Sequence, residues 1–213
     1  MTILEELEQE YHFTYPSLYK RLYKDGMLDW GELNHEWIND VYPGLKGSPP
    51  LLLFANNFEL MDGEGMSEEL EDGFPLADKT HRFVPFAFNS TGDWYAFYYN
   101  LQNGEDIPIV QVMRDENEAV ILAKNLQDFI FSQMLEAVTN MDANTPDLIV
   151  DGDFKENCRN FLRTHAPYLT PHQQGIVAAA YEKGGLTGLE LHPILEAEIS
   201  FEWLDKSFKY KVE

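Results

Sequence analysis

Residues 83–97 read Phe83-Val84-Pro85-Phe86-Ala87-Phe88-Asn89-Ser90-Thr91-Gly92-Asp93-Trp94-Tyr95-Ala96-Phe97, and this stretch decides the fold. Two runs rich in aromatic and β-branched residues flank a five-residue cluster of turn formers, the pattern of two strands joined by a tight turn. Working outward, Asn103-Gly104 is a hairpin signal before a third strand from Ile107 to Met113. Pro108 has no N–H for a ladder, so it belongs at the start of that strand or on an edge. Arg114 to Glu118 is a further polar turn, and Ala119 to Ala123 a fourth strand. Parallel neighbours need crossovers of about a dozen residues. Connections this short therefore predict an antiparallel meander.

Helices are expected on both sides of these strands. Thr2 and Glu5 stand at capping-box spacing ahead of Leu4, Leu7 and Tyr11, and a second amphipathic helix follows Pro16 until Asp25-Gly26. The turn-rich residues 43–50 precede Leu51 to Phe54, which reads as a short buried strand. Asn125 is a candidate N-cap for a helix whose Leu126, Phe129, Ile130, Met134 and Val138 form a stripe suited to packing on the sheet. Thr139 to Pro146 is a polar, proline-terminated boundary. Residues 153–165 and 171–183 read as helices, the second with Thr170 and Gln173 at capping-box spacing and Gly184-Gly185 as its stop. Ile199 to Val212 is open between strand and short helix. The predicted class is α+β: a mainly antiparallel, twisted meander flanked by helices, with a C-terminal extension. Residues 1–140 form the predicted main domain, and 141–213 a mainly helical extension packed on it.

The chain of 213 residues carries 37 acidic against 15 basic side chains, a formal net charge of −22. Such a field repels the phosphates of nucleic acid and an anionic membrane surface, so neither is an expected partner. It suits solubility, and equally the steering of a basic protein partner. The lone Cys158 cannot form an internal disulfide, the N-terminal residues lack the apolar core of a signal peptide, and no apolar run is long enough to span a bilayer. A soluble, cytoplasmic protein is expected.

Templates for catalysis fail. No phosphate-binding glycine loop, nucleophile elbow or His-Glu-x-x-His motif occurs. His165 and His172 are separated by Pro167 and Pro171, which interrupt the helix that would align them on a metal. From Asp151 a calcium loop would need glycine at its sixth position and glutamate at its twelfth, where Glu156 and Leu162 stand. Gly184-Gly185-Leu186-Thr187-Gly188 lacks a following basic residue and reads as a helix stop. Cys158 reads as a packed side chain, and the cluster Trp94, Tyr95, Phe97, Tyr98 and Tyr99 as core ahead of a stacking platform for bases or sugars. No catalytic residue, cofactor or metal ligand is expected.

Charge has a location, however. Between Gly47 and Met113 two basic residues, Lys79 and Arg82, face eleven acidic ones. Seven of these, Glu59, Asp62, Glu64, Glu68, Glu69, Glu71 and Asp72, fall in one glycine-bearing stretch expected to be an exposed loop or short helix. It is a solvated segment or the centre of an acidic docking surface.

The order of elements also resembles a known family. The stretch Tyr15-Pro16-Ser17-Leu18-Tyr19-Lys20-Arg21-Leu22-Tyr23-Lys24-Asp25-Gly26 is similar to the opening of the SUKH superfamily. Phe83 to Phe97, where Pro85-Phe86-Ala87 leads through Gly92-Asp93 to an aromatic strand, resembles its central signature. Ala123-Lys124-Asn125-Leu126-Gln127-Asp128-Phe129-Ile130 resembles its closing helix. The likeness covers roughly residues 1–140, with a long insertion between Gly26 and Leu51 that contains Trp30 and Trp37. It implies an α+β fold without catalytic residues. Bacterial members are mostly immunity proteins that bind and neutralise a cognate toxin, often a nuclease; fungal relatives regulate cell-wall glucan synthesis through protein contacts. The resemblance thus implies a basic protein toxin, of the nuclease kind, held by the acidic surface. The alternative is a regulatory scaffold of the cell-wall type.

Overall fold

Phe83–Phe88 and Trp94–Tyr98 pair as antiparallel strands across the Asn89–Asp93 turn in the computed structural model, which describes residues 1–71, 81–141, 147–200 and 206–210. In chain order the elements are α1 (Ile3–Tyr11), α2 (Ser17–Lys24), the single helical turns α3 (Trp37–Asp40) and α4 (Tyr42–Leu45), β1 (Glu59–Leu60), α5 (Gly63–Glu71), β2 (Phe83–Phe88), β3 (Trp94–Tyr98), β4 (Ile109–Met113), β5 (Glu118–Ala123), α6 (Leu126–Glu136), α7 (Phe154–His165), α8 (Pro171–Lys183), α9 (Gly188–Leu195) and β6 (Lys206–Lys209). The chain divides into two units. One holds Met1–Asp25, Phe58–Leu126 and Glu202–Glu213; the other holds Gly26–Asn57 and Gln127–Phe201.

The first unit is the predicted meander, extended at both edges. Among the described residues six strands lie in sequence order, every pair antiparallel. Pro85 sits inside β2, where the register slips between Pro85 and Ala87 and where β1, paired only with Ala87 and Phe88, does not reach. A bulge beyond the neighbour's end is where a residue without an N–H is tolerated. On one face Phe86 and Phe97 lie 4.8 Å apart, and Tyr19 of α2 packs edge-on against Phe97 at 5.3 Å. On the other, Phe83 and Tyr98 stack at 5.0 Å, and Phe208 of β6 stacks on Tyr98 at the same distance. Since β6 is three strands removed from β3, that contact requires the sheet to curl. Each such ring pair adds about 0.5–1.5 kcal/mol beyond the area it buries.

The second unit is helical. The capping boxes predicted for α1 and α8 both form, through Thr2 with Glu5 and Thr170 with Gln173. In place of one apolar stripe, α6 is buried on nearly every side: Asp128, Ser132 and Gln133 are buried with its apolar residues, and Gln173 donates to Asp128 at 2.9 Å. Trp30 and Trp37 of the insertion stack at 6.0 Å, and both indoles donate to backbone carbonyls, of Leu51 and Trp30 respectively.

Leu51 to Phe54 is not the predicted strand. Its four side chains are fully buried, but the backbone turns, with Leu52 at φ +54°. Leu52 donates its N–H to His165 Nε2 at 2.9 Å, which places the ring proton on Nδ1, 3.0 Å from the Phe161 carbonyl. A non-glycine residue in the left-handed region costs of order 1 kcal/mol or more, so the surrounding structure must hold it. Burial keeps the His165 imidazole neutral and lowers its pKa to about 3 from the usual 6.5. The unfolded chain therefore binds this proton at a pH where the folded chain does not. The stability so contributed is full above about pH 6.5 and is lost as pH falls toward 3. Urea titrations followed by tryptophan fluorescence should show wild type more stable than the non-titrating H165Q at pH 7.5. The gap should narrow by about 1.4 kcal/mol for each pH unit below 6.5.

Candidate functional site

The acidic stretch folds as α5, and its register is set by Met66 and Leu70, both buried. Residues four apart share a helix face, so this pair turns the opposite face outward. Tyr15 and Tyr19, buried under the sheet's aromatic face, both direct their hydroxyls at the Met66 sulfur, at 3.6 and 3.7 Å. Burial raises both phenols well above their ordinary pKa, so both hydroxyls stay protonated. At the helix start a Cβ on Gly63 would lie 2.5 Å from Ile3 of α1, so only glycine permits this approach of the two helices. Asp62 then accepts the Gly65 N–H at 2.7 Å and closes the first turn.

Of the seven predicted partner-binding residues, three form one surface. Glu64, Glu68 and Glu71 are exposed and stand at i, i+4 and i+7, a stripe along the outward face of α5. Asp62 is exposed but committed to the helix start. Glu69 turns aside and pairs with Arg114 at 3.5 Å, and Arg114 in turn lies 4.4 Å above the Trp94 ring. Glu59 is on β1, half-buried, and burial pushes its carboxyl pKa up. Asp72 lies outside the described residues. Of the supports of the stripe, Met66 and Gly63 were not singled out in the sequence, and Tyr15 and Tyr19 stood there only in the stretch that resembles the family's opening helix. The Met66/Leu70 spacing was the one signal that could have oriented the helix.

The other sequence candidates are structural. Gly92 takes φ +83° in the β2–β3 turn. Asn89 Oδ1, more than Asp93, fixes that turn by accepting the N–H groups of Thr91 and Asp93. The Asp93 carboxylate instead accepts from Asn89, Thr91 and Gln111 side chains, tying the turn to β4. Trp94, Tyr95, Phe97 and Tyr98 are buried and Tyr99, half-buried, donates its hydroxyl to the Thr14 carbonyl, so the cluster is core and offers no row of open ring faces. Cys158 is buried and its thiol is pushed up to about 12, so it carries little thiolate at neutral pH. Both nitrogens of His165 are occupied within the second unit. Among the described residues no group of three or more His, Cys, Asp or Glu is arranged to hold a metal, and no helix is long and apolar enough to cross a membrane.

No curated protein and no solved structure matches the chain. A family model does, over residues 2–132. The match takes in α1, α2, α5, the strands β1 to β5 and the first half of α6, so it contains both the aromatic strand pair and the acidic helix seated on it. With a meander, a turn at Gly92-Asp93 and a family match over more than half its length, the chain belongs to the SMI1 / KNR4 family (SUKH-1), whose members include immunity proteins and regulators.

Proposed function

We propose that the protein is a non-catalytic immunity protein that captures a basic protein toxin, of the nuclease kind, through the outward face of α5. Membership of a family of immunity proteins and regulators supports this, and the single observation that carries it further is the Glu64–Glu68–Glu71 stripe on a helix anchored from below. A nuclease must present Lys and Arg to hold its phosphate substrate. A row of carboxylates on a rigid helix imitates that substrate's field, speeds encounter, and blocks the site without chemical turnover. The regulatory-scaffold reading uses the same surface on a different partner.

Where a gene beside this one encodes a toxin-like domain, co-expression with that domain should restore growth and yield a complex in solution. Absence of both would remove the toxin reading and favour the scaffold. Replacing Glu64, Glu68 and Glu71 with Ser should slow association with that domain about tenfold at low ionic strength and flatten its salt dependence. Unchanged rates would take α5 out of the interface.

The stripe also has a stability consequence. Like charges at i, i+4 and i+3 each cost about 0.2–0.5 kcal/mol. Glu64 in the first turn suits the helix dipole, which leaves Glu68 and Glu71, further along the helix, as the repelling members of the stripe. E68Q/E71Q should therefore raise stability by about 0.5–1 kcal/mol in urea titrations at low salt, with the gain fading as salt rises. A loss of stability would mean that these carboxylates are structurally engaged.

A further inference from the structure

The strand at one edge of the sheet comes from outside the family match. Residues 2–132 contain β1 to β5, so the matched sheet ends on β5, and β6 is supplied from the far end of the chain. Lys206 pairs with Ile121, Ser207 with Val120, Phe208 with Ala119 and Lys209 with Glu118. Among the described residues β6 has no strand on its other side. Side chains alternate across a strand, so Phe208 and Tyr210 point to one face. There Phe208 lies 5.0 Å from Tyr98 and 5.4 Å from His81, and Tyr210 meets Phe83 edge-on at 5.5 Å. The Tyr210 hydroxyl donates to the Met113 carbonyl, and its N–H to the Asn117 carbonyl in the β4–β5 turn. Two aromatic anchors and a four-residue ladder hold β6, while Lys206, Ser207 and Lys209 are exposed. A short edge strand with so little burial belongs to the elements that open most readily.

Beneath β6 lie the two parts of a strand-addition site. The β5 edge offers N–H and C=O groups to a further strand, and His81, Phe83 and Tyr98 form an aromatic seat for its alternate side chains. The segment bound there in cis displays the chemistry that the edge accepts. Residues 206–211 read Lys-Ser-Phe-Lys-Tyr-Lys, with three of the chain's 15 basic residues and no acidic one. Lys209 stands opposite Glu118, and the adjoining turn carries Asp115 and Glu116, both exposed. Arg114 of the same turn is engaged by Glu69 of α5 and by the Trp94 ring. The edge therefore lies beside the acidic helix, and it joins carboxylates to an aromatic seat. A strand with Lys or Arg next to alternating aromatics complements both.

We infer that the β5 edge is a docking site for a basic, aromatic-bearing extended segment of a partner protein, which displaces β6 from its place in cis. The inference rests on the reading of the chain as a binder of basic proteins and adds a second contact to that of α5. The test titrates a labelled peptide, Lys-Ser-Phe-Lys-Tyr-Lys, into the full chain and follows fluorescence anisotropy. F208A in the chain weakens the cis strand and should tighten peptide binding about tenfold, whereas the same replacement in the peptide should weaken it about tenfold. Should the F208A chain not fold by circular dichroism, F208L carries the same expectation. Val120 and Ser207 are register partners within disulfide reach, so V120C/S207C should lose binding when oxidised and regain it when reduced. Absence of binding to the Phe208 variant, or equal binding by the oxidised and reduced forms, overturns the proposal. So does equal binding of a peptide with Glu in place of each Lys. Self-association of the Phe208 variant in place of peptide binding would assign the edge to a second copy and overturn it as well. Failed toxin protection with peptide binding of the expected pattern would strike the immunity reading and leave the edge standing; protection without peptide binding would strike the edge alone.

Discussion

The first unit depends on one constraint: β2 and β3 have no face toward solvent. Every residue of β3 is buried, as are five of the six in β2. An antiparallel pair usually packs one face and wets the other. Here α2 and the Tyr15 segment cover one face, and the curled sheet brings β6 over the other. The acidic side chains cannot enter these strands, because a buried carboxylate without a partner costs several kcal/mol. They are displaced to turns and to α5. The same packing that excludes charge from the sheet also positions it, since the tyrosines that cover Phe97 and Phe86 are those whose hydroxyls meet Met66 beneath α5.

What the sequence made legible follows from range. Turn formers and capping boxes act over three to five residues, so the Asn89–Asp93 turn, the Asn103-Gly104 signal and the starts of α1 and α8 could be read directly. The meander followed from the shortness of its connections. Leu51 to Phe54 failed for the opposite reason. A short apolar run says that the segment is buried and not what its backbone does, and the group that meets Leu52 is 113 residues away. The two outer strands escaped notice or stayed ambiguous because they are short: β1 has two residues, and β6 has four, of which Phe208 alone is apolar. A short, lysine-bearing strand is a usual form of sheet edge, since it discourages pairing with another chain.

The acidic site was legible as a composition and illegible as a surface. Seven acids within 14 residues mark a charged segment, but which of those on α5 form the stripe and which turns aside to an ion pair depends on the register that Met66 and Leu70 impose. Glu69 is the clearest case. It lies beside Glu68 in sequence, yet the helical turn of about 100° per residue carries it to Arg114 and off the stripe.

A stripe of three solvent-exposed carboxylates sets a rate more than an affinity. Exposed ion pairs contribute about 0–1 kcal/mol each and are screened within a Debye length of about 8 Å at physiological salt. Steering by such a stripe would favour encounter with a basic partner over an acidic one, but residence needs apolar area removed from water. On α5 the apolar residues Met66 and Leu70 face inward and are already used to seat the helix, so the stripe offers little such area of its own.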